Sequence, residues 1–289
     1  MVKTLENSAL KIQVKYHGAE LASIVNKKTG QEYIWQADPT FWGRHAPVLF
    51  PIVGRLQEDA CIINDKTYAM KQHGLARNMD FQLVKQNKAA LTFELLSSKE
   101  TLLAYPYPFR LRIESVLQGT ELMVVYEVHN PSEQPMYFSI GGHPAFRCPL
   151  NADEQRSDYQ LVFQHKETAH TQRLDGGIRN GKTELVLANE KNLPITDHLF
   201  EEDALVFADL VSEKVTLQKG EKQVLTFDFK DFPYLGIWSK NQKSPFVCIE
   251  PWFGVADHVK HNQQFSQKEG VLELGAGKTF DSVYTIAIH

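Results

Sequence analysis

Apolar and polar residues alternate with a period of two along most of this chain, the signature of half-buried β-strands. In FRLRIESVLQ, Phe109, Leu111 and Ile113 alternate with Arg110, Arg112 and Glu114. Gly119-Thr120 follows, and ELMVVYEVHN alternates again, so the pattern predicts a hairpin with a two-residue turn. VTLQ-KGEK-QVLTFDF at 215–229, CIIN-DK-TYAM at 61–70 and FQLVKQ-NKA-ALTFELL at 81–96 read the same way. The first forty residues predict three strands broken at HGAE and NKKTG, and further strands are expected at Tyr159–Gln164, Tyr234–Trp238, Phe246–Glu250 and Val283–Ile288. Sustained 3.6-residue periodicity is missing. SSKETLLAY predicts one short helix with Ser98 near its cap, ended at Tyr105-Pro106. Many short strands with frequent turns point to an all-β sandwich or barrel rather than a βαβ fold. The polar stretches Asn151–Ser157 and Arg173–Thr183 read as surface loops, and with no low-complexity linker the chain reads as one domain over 1–289.

Composition narrows the function classes. A net charge of −4 disfavours a nucleic-acid partner, which would need a basic face. No window carries the long uncharged apolar run of a membrane helix, and MVKTLENSALKIQVKY lacks the apolar core of a secretory signal. Cys61, Cys148 and Cys248 are odd in number and widely spaced, so they read as reduced core filler in a cytoplasmic protein. Neither GxGxxG nor GxxxxGK[ST] occurs, which removes the usual nucleotide-cradling loops.

Four segments depart from plain strand patterning. APVLFPIVGRL at 46–56 is an apolar run interrupted by proline and ended by Gly54-Arg55. KQHGLARNMDF at 71–81 holds His73-Gly74 and Arg77. MYFSIGGHPAFRCPL at 136–150 runs a strand into two glycines and His143, which places an imidazole at a strand end. FVCIEPWFGVADH at 246–258 delivers Glu250 at the end of an apolar strand, where a carboxylate needs a partner or acts as a general base with a shifted pKa. Read singly, each also fits a turn histidine, a surface arginine or a paired structural carboxylate.

Taken together, GRHAPVLFPIVGRL, QHGLAR, GGHPAF and CIEPWFGVAD resemble the aldose 1-epimerase, or galactose mutarotase-like, family, nearest to its LacX-type branch. The resemblance implies a large antiparallel β-supersandwich that interconverts the α and β anomers of a hexose without metal or organic cofactor. It implies Glu250 as general base, His143 as general acid and His73 as an assisting histidine. It implies sugar contacts from Arg55, with Arg77 a further substrate-binding residue. A sugar-binding aspartate is placed at Asp203 in EEDALVF, with Asp197 in ITDH as its rival. Trp252 is expected in the sugar platform, which draws on Trp42, Tyr105, Phe146, Trp252 and Phe253. A carboxylate beside His143 is expected to raise the imidazole pKa.

Three rival readings accompany this one. His73, His143 and Glu250 could form a two-histidine, one-carboxylate metal triad. A non-catalytic carbohydrate-binding protein would use the same cleft. A hexose-6-phosphate 1-epimerase would gather Arg55, Arg77 and Arg44 around a dianion, unless Arg77 and Arg44 are consumed by Asp80 and Glu58. The small-molecule partner is thus an aldose, free or phosphorylated.

Overall fold

Alternation converts directly into sheet. The strand Arg110–Gln118 buries every second residue, and Glu121–His129 does the same. Gln118 pairs with Glu121 across a turn whose Gly119 has φ +58°, the predicted hairpin. The computed structural model describes all 289 residues. Its largest sheet has fifteen strands, and thirteen of them form one hydrogen-bonded path that begins at Val48–Leu49 and ends at Gln82–Gln86. The N-terminal strands Val2–Glu6, Leu10–Lys15 and Leu21–Asn26 make a separate three-stranded sheet. All pairings between named strands are antiparallel, so the all-β expectation holds. The core between layers is aliphatic and aromatic, with Phe50, Phe93, Phe109, Phe138 and Phe227 fully buried.

The one α-helix, Lys99–Ala104, is the predicted one. Ser98 accepts from the Thr101 N–H while the Thr101 hydroxyl accepts from the Ser98 N–H, a reciprocal cap. All three cysteines are free and buried. No helix is long and apolar enough to cross a membrane.

The loop reading of Arg173–Thr183 is overturned. Strands Tyr159–Asp175 and Ile178–Pro194 pair through it as a hairpin with its tip at Gly176-Gly177. Much of that hairpin stands clear of the core, and the segment 180–185 is largely exposed. Without an apolar face its sequence carries no period-two hydrophobic signal. At 151–157 the loop reading stands, with a 3₁₀ turn at Arg156–Asp158.

The strand Phe246–Phe253 organises the site. On one side it pairs with Tyr234–Trp238, where Glu250 meets Gly236. On the other it pairs with Ile140–Gly142 and Ala145–Arg147, with Gly141 opposite Trp252 and Ala145 opposite Cys248. Continuing either ladder by two residues sets His143 opposite Glu250. Directly opposed side chains leave Cβ atoms about 4.5–5.5 Å apart. Sheet register therefore brings together two residues separated by more than a hundred positions.

Candidate active site

A cleft of about 360 Å³ opens above this junction, a usual size for a small-molecule site. Its walls include Trp42, Arg44, His73, Arg77, His143, Asp203, Trp238, Glu250 and Trp252.

His143 Nε2 lies 3.2 Å from Glu250 Oε2. Neither Glu250 Oε2 nor His143 Nδ1 makes a hydrogen bond, although both atoms are buried. Trp42 stacks on the imidazole at 4.8 Å, and Trp238 meets it edge-on at 5.6 Å. These apolar walls decide the electrostatics. Burial, with Asp203 nearby, pushes the Glu250 carboxyl well above its ordinary range. Burial, aided by the Arg77 charge, drives His143 down to about 3. The expected upward shift of His143 is therefore reversed, because desolvation dominates and the neighbouring Glu250 carboxyl is itself pushed toward its neutral form. Both shifts favour the neutral form of each group.

His73 is set by backbone geometry. Its φ is +65°, uncommon for a residue with a side chain. The Gly54 N–H donates to its Nδ1 at 3.2 Å, and its own N–H donates to the Gly54 carbonyl at 2.8 Å. A neutral ring accepting at Nδ1 carries its proton on Nε2. Burial, and then His143, hold its pKa well below the ordinary value. His73 is thus a neutral donor, 5.5 Å from the His143 ring centre. Its Nδ1 lone pair is already used, which weakens the His73–His143–Glu250 metal reading.

The arginines divide. Arg77 faces the cleft with its Nη2 on the Gln72 carbonyl at 2.7 Å and its Nε buried without a partner. Burial, together with Arg44, lowers its pKa to about 10. Arg44 donates to the Arg77 carbonyl and to Asn78 Oδ1. Neither guanidinium pairs with Asp80 or Glu58; Asp80 pairs with His17 instead. Arg55 lies outside the cleft lining. Its Nε binds Asp59 at 2.9 Å and its Nη1 binds the Gly176 carbonyl at 2.9 Å, which fastens the hairpin tip to the wall. A neighbouring carboxylate and carbonyl thus engage two of its five donors.

Asp203 lines the cleft with φ +76°, and its Oδ1 accepts from the Ala204 N–H. Asp197 lies in a separate surface depression. Trp252 lies flat along the sheet because Gly141 and Gly236 leave it room: a Cβ on either would come within 2.6 Å or 2.5 Å of the indole. Of the other expected platform residues, Trp42 lines the cleft. Tyr105 and Phe146 are core, and Phe253 packs against Phe232 and Phe280.

The family model for aldose 1-epimerase matches residues 1–272. The chain belongs to that family. It is 35% identical to the chromosomal Protein LacX of Lactococcus lactis subsp. lactis over 298 residues, covering 100% of this chain and 99% of LacX. It is similar to the structure of a galactose mutarotase related enzyme from Lactobacillus acidophilus, with TM-score 0.95, 35% identity, and coverage of 100% of this chain and 97% of that one. A galactose mutarotase-like protein from Lactobacillus casei ATCC 334 gives TM-score 0.92 and 35% identity, with 100% of both chains covered. The fold is the galactose mutarotase-like fold, and the protein is a sugar isomerase of the epimerase type.

Several cleft residues of this epimerase escaped the sequence reading: Gln72, Arg179, Trp238 and Lys240. Gln72 is adjacent to a motif and could have been drawn in with it. Arg179 sits in the segment read as loop; it is buried, donating to the Ala256 carbonyl, Gln172 and Glu269. Trp238 ends a predicted strand, and only the sheet order turns it toward His143.

Glu20 supports the cleft from outside its lining. It is buried, and its Oε1 accepts from the His45 and Ala46 N–H groups at 2.6 and 3.1 Å, which pins the segment following Arg44. Burial works to raise its carboxyl, but the His45 hydrogen bonds and the Lys15 charge prevail and hold it at about 2. A depressed folded-state pKa means stability that is full above the ordinary value of 4.5 and lost as pH falls through about 2. Urea titrations at pH 6 and pH 3 should show this carboxyl contributing about 2 kcal/mol to the loss of stability between them. Glu20→Gln should remove that contribution from the pH dependence; an unchanged pH dependence would refute it.

Proposed function

We propose that this epimerase interconverts the anomers of a hexose, with Glu250 and His143 as its acid–base pair. The carrying observation is their juxtaposition: a carboxyl and an imidazole 3.2 Å apart, buried and facing the same cleft. Ring opening needs the anomeric hydroxyl to lose a proton while the ring oxygen gains one. In this reading the pair carries one proton, and placing it on His143 with Glu250 ionised gives the carboxylate base and the imidazolium acid. Glu250 then takes the anomeric proton and His143 protonates the ring oxygen. Rotation about the adjacent C–C bond presents the other carbonyl face, and reversal of the two transfers closes the ring. The anomers are close in energy and no electrons are exchanged, so one shuttling proton suffices.

The remaining side chains supply binding. The His73 Nε2–H donates to a sugar oxygen. Asp203 accepts from a hydroxyl, Arg77 donates to others, and Trp42 and Trp252 offer flat apolar surface to the ring. In this reading Arg77 takes the part that the family resemblance placed on Arg55.

A second reading, a hexose 6-phosphate as substrate, is favoured by one observation. Arg44 and Arg77 converge on the cleft with no carboxylate bound to either, and exposed Lys240 stands nearby. Polarimetry with glucose, galactose and glucose 6-phosphate separates the readings. The free-hexose reading expects kcat/KM for a free sugar to equal or exceed that for the phosphate. A preference of roughly tenfold or more for the phosphate, removed by Arg77→Ala, would instead establish the second reading. No acceleration of any aldose would leave only a binding role.

A further inference from the structure

Residues two apart on a strand share a face, so Cys248 projects to the same side as Glu250. Ala145 opposite Cys248 is small, and His143 opposes Glu250 just beyond it. As a result the ligand atoms of His143, Cys248 and Glu250 all lie within 4.8 Å of one another. They offer one nitrogen, one sulfur and one oxygen.

From this arrangement we infer that His143 and Glu250 of the cleft wall, with the fully buried Cys248 beside them, form an inhibitory site that binds one Zn²⁺ and so removes both members of the acid–base pair from the reaction. Zinc takes such mixed three-residue sets with a fourth position open to water, whereas magnesium and calcium reject sulfur. Zn–S and Zn–N distances of roughly 2.3 and 2.0–2.1 Å imply ligand atoms about 3.5 Å apart, so the three must draw together by about 1 Å. Rotation about the side-chain bonds of His143, Cys248 and Glu250 would have to supply that movement on binding. A second observation points the same way. Glu250 is only 1% exposed, yet its Oε2 has no hydrogen-bond partner. Metal binding as a thiolate would release the thiol proton of Cys248. The inhibition rests on the acid–base reading above; the binding does not.

The test uses the full-length protein stripped with EDTA and freed of chelator. Equilibrium dialysis should find one tightly held zinc ion per chain, with no comparable binding of Mg²⁺. Cobalt(II) should develop a near-ultraviolet thiolate-to-metal charge-transfer absorption. Zinc should suppress mutarotation, and EDTA should restore it. Cys248→Ser and Cys248→Ala should retain mutarotation but require at least ~10-fold more zinc for the same suppression. Cys248→Ala should also lose the cobalt band. Absence of the cobalt–thiolate band in wild type overturns the site, even if the variants fail to fold. Unchanged zinc affinity in the folded variants overturns it equally and assigns the ion to surface histidines. If no sugar is epimerised, dialysis and the cobalt spectrum still decide the metal question separately.

Discussion

Glu250→Gln and His143→Asn are each expected to lower kcat for mutarotation by roughly 10²-fold or more, with the fold retained. Each replacement removes one end of the proton shuttle. Burial pushes the Glu250 carboxyl well above the ordinary range, toward its neutral form. A glutamine amide therefore replaces it without leaving or exposing a charge. Asparagine at 143 leaves space between Trp42 and Trp238 but adds no charge either. Circular dichroism should match wild type for both, while polarimetry should show the loss. The two defects should also be far from additive in the double variant, since the residues act as a unit. Near wild-type turnover in either folded single variant would remove that residue from the mechanism.

The second large effect is on stability. Gly74 has φ +73°, and a Cβ there would lie 2.3 Å from the Phe50 carbonyl oxygen and 2.6 Å from its carbon. Those are backbone atoms and cannot swing aside. The left-handed conformation alone costs a residue with a Cβ about 1–2 kcal/mol. Overpacking adds roughly 1–3 kcal/mol. Gly74→Ala should therefore lose about 3 kcal/mol in urea denaturation and disturb His73, its chain neighbour. Gly119→Ala separates the two contributions. It has φ +58° with nothing within 4 Å of the added atom, so it should lose only about 1 kcal/mol. Equal losses in the two variants would show that the close approach at Phe50 does not matter.

Local chemistry was legible wherever one face of an element is buried. Leu111 and Ile113 had to face inward together, so the 110–118/121–129 hairpin and its Gly119 turn followed from alternation. Ser98 announced its helix through a hydroxyl that satisfies a free N–H. The hairpin around Gly176 was not legible, because strands exposed along much of both faces need no apolar alternation. The same distinction runs through the cleft. The motifs around His73, His143 and Glu250 stand out because glycine, proline and polar residues interrupt apolar runs. Arg55 and Arg77 look equivalent in sequence, each closing a short motif that contains a glycine, Gly54 and Gly74. Only the fold shows that Asp59 and Gly176 engage Arg55 while Arg77 faces the cleft.

By itself, then, the sequence determined the strands with a buried face, the capped helix and the segments that carry unusual chemistry, since these depend on residues near one another in the chain. Tertiary structure decided the rest. Register across Ala145/Cys248 and Gly141/Trp252 set an imidazole opposite a carboxyl, and sheet order placed Trp238 against that imidazole. Enclosure by Trp42 and Trp238 then reversed the expected shift at His143. A pKa responds to everything within several ångströms in space, and those neighbours come from strands far apart in sequence.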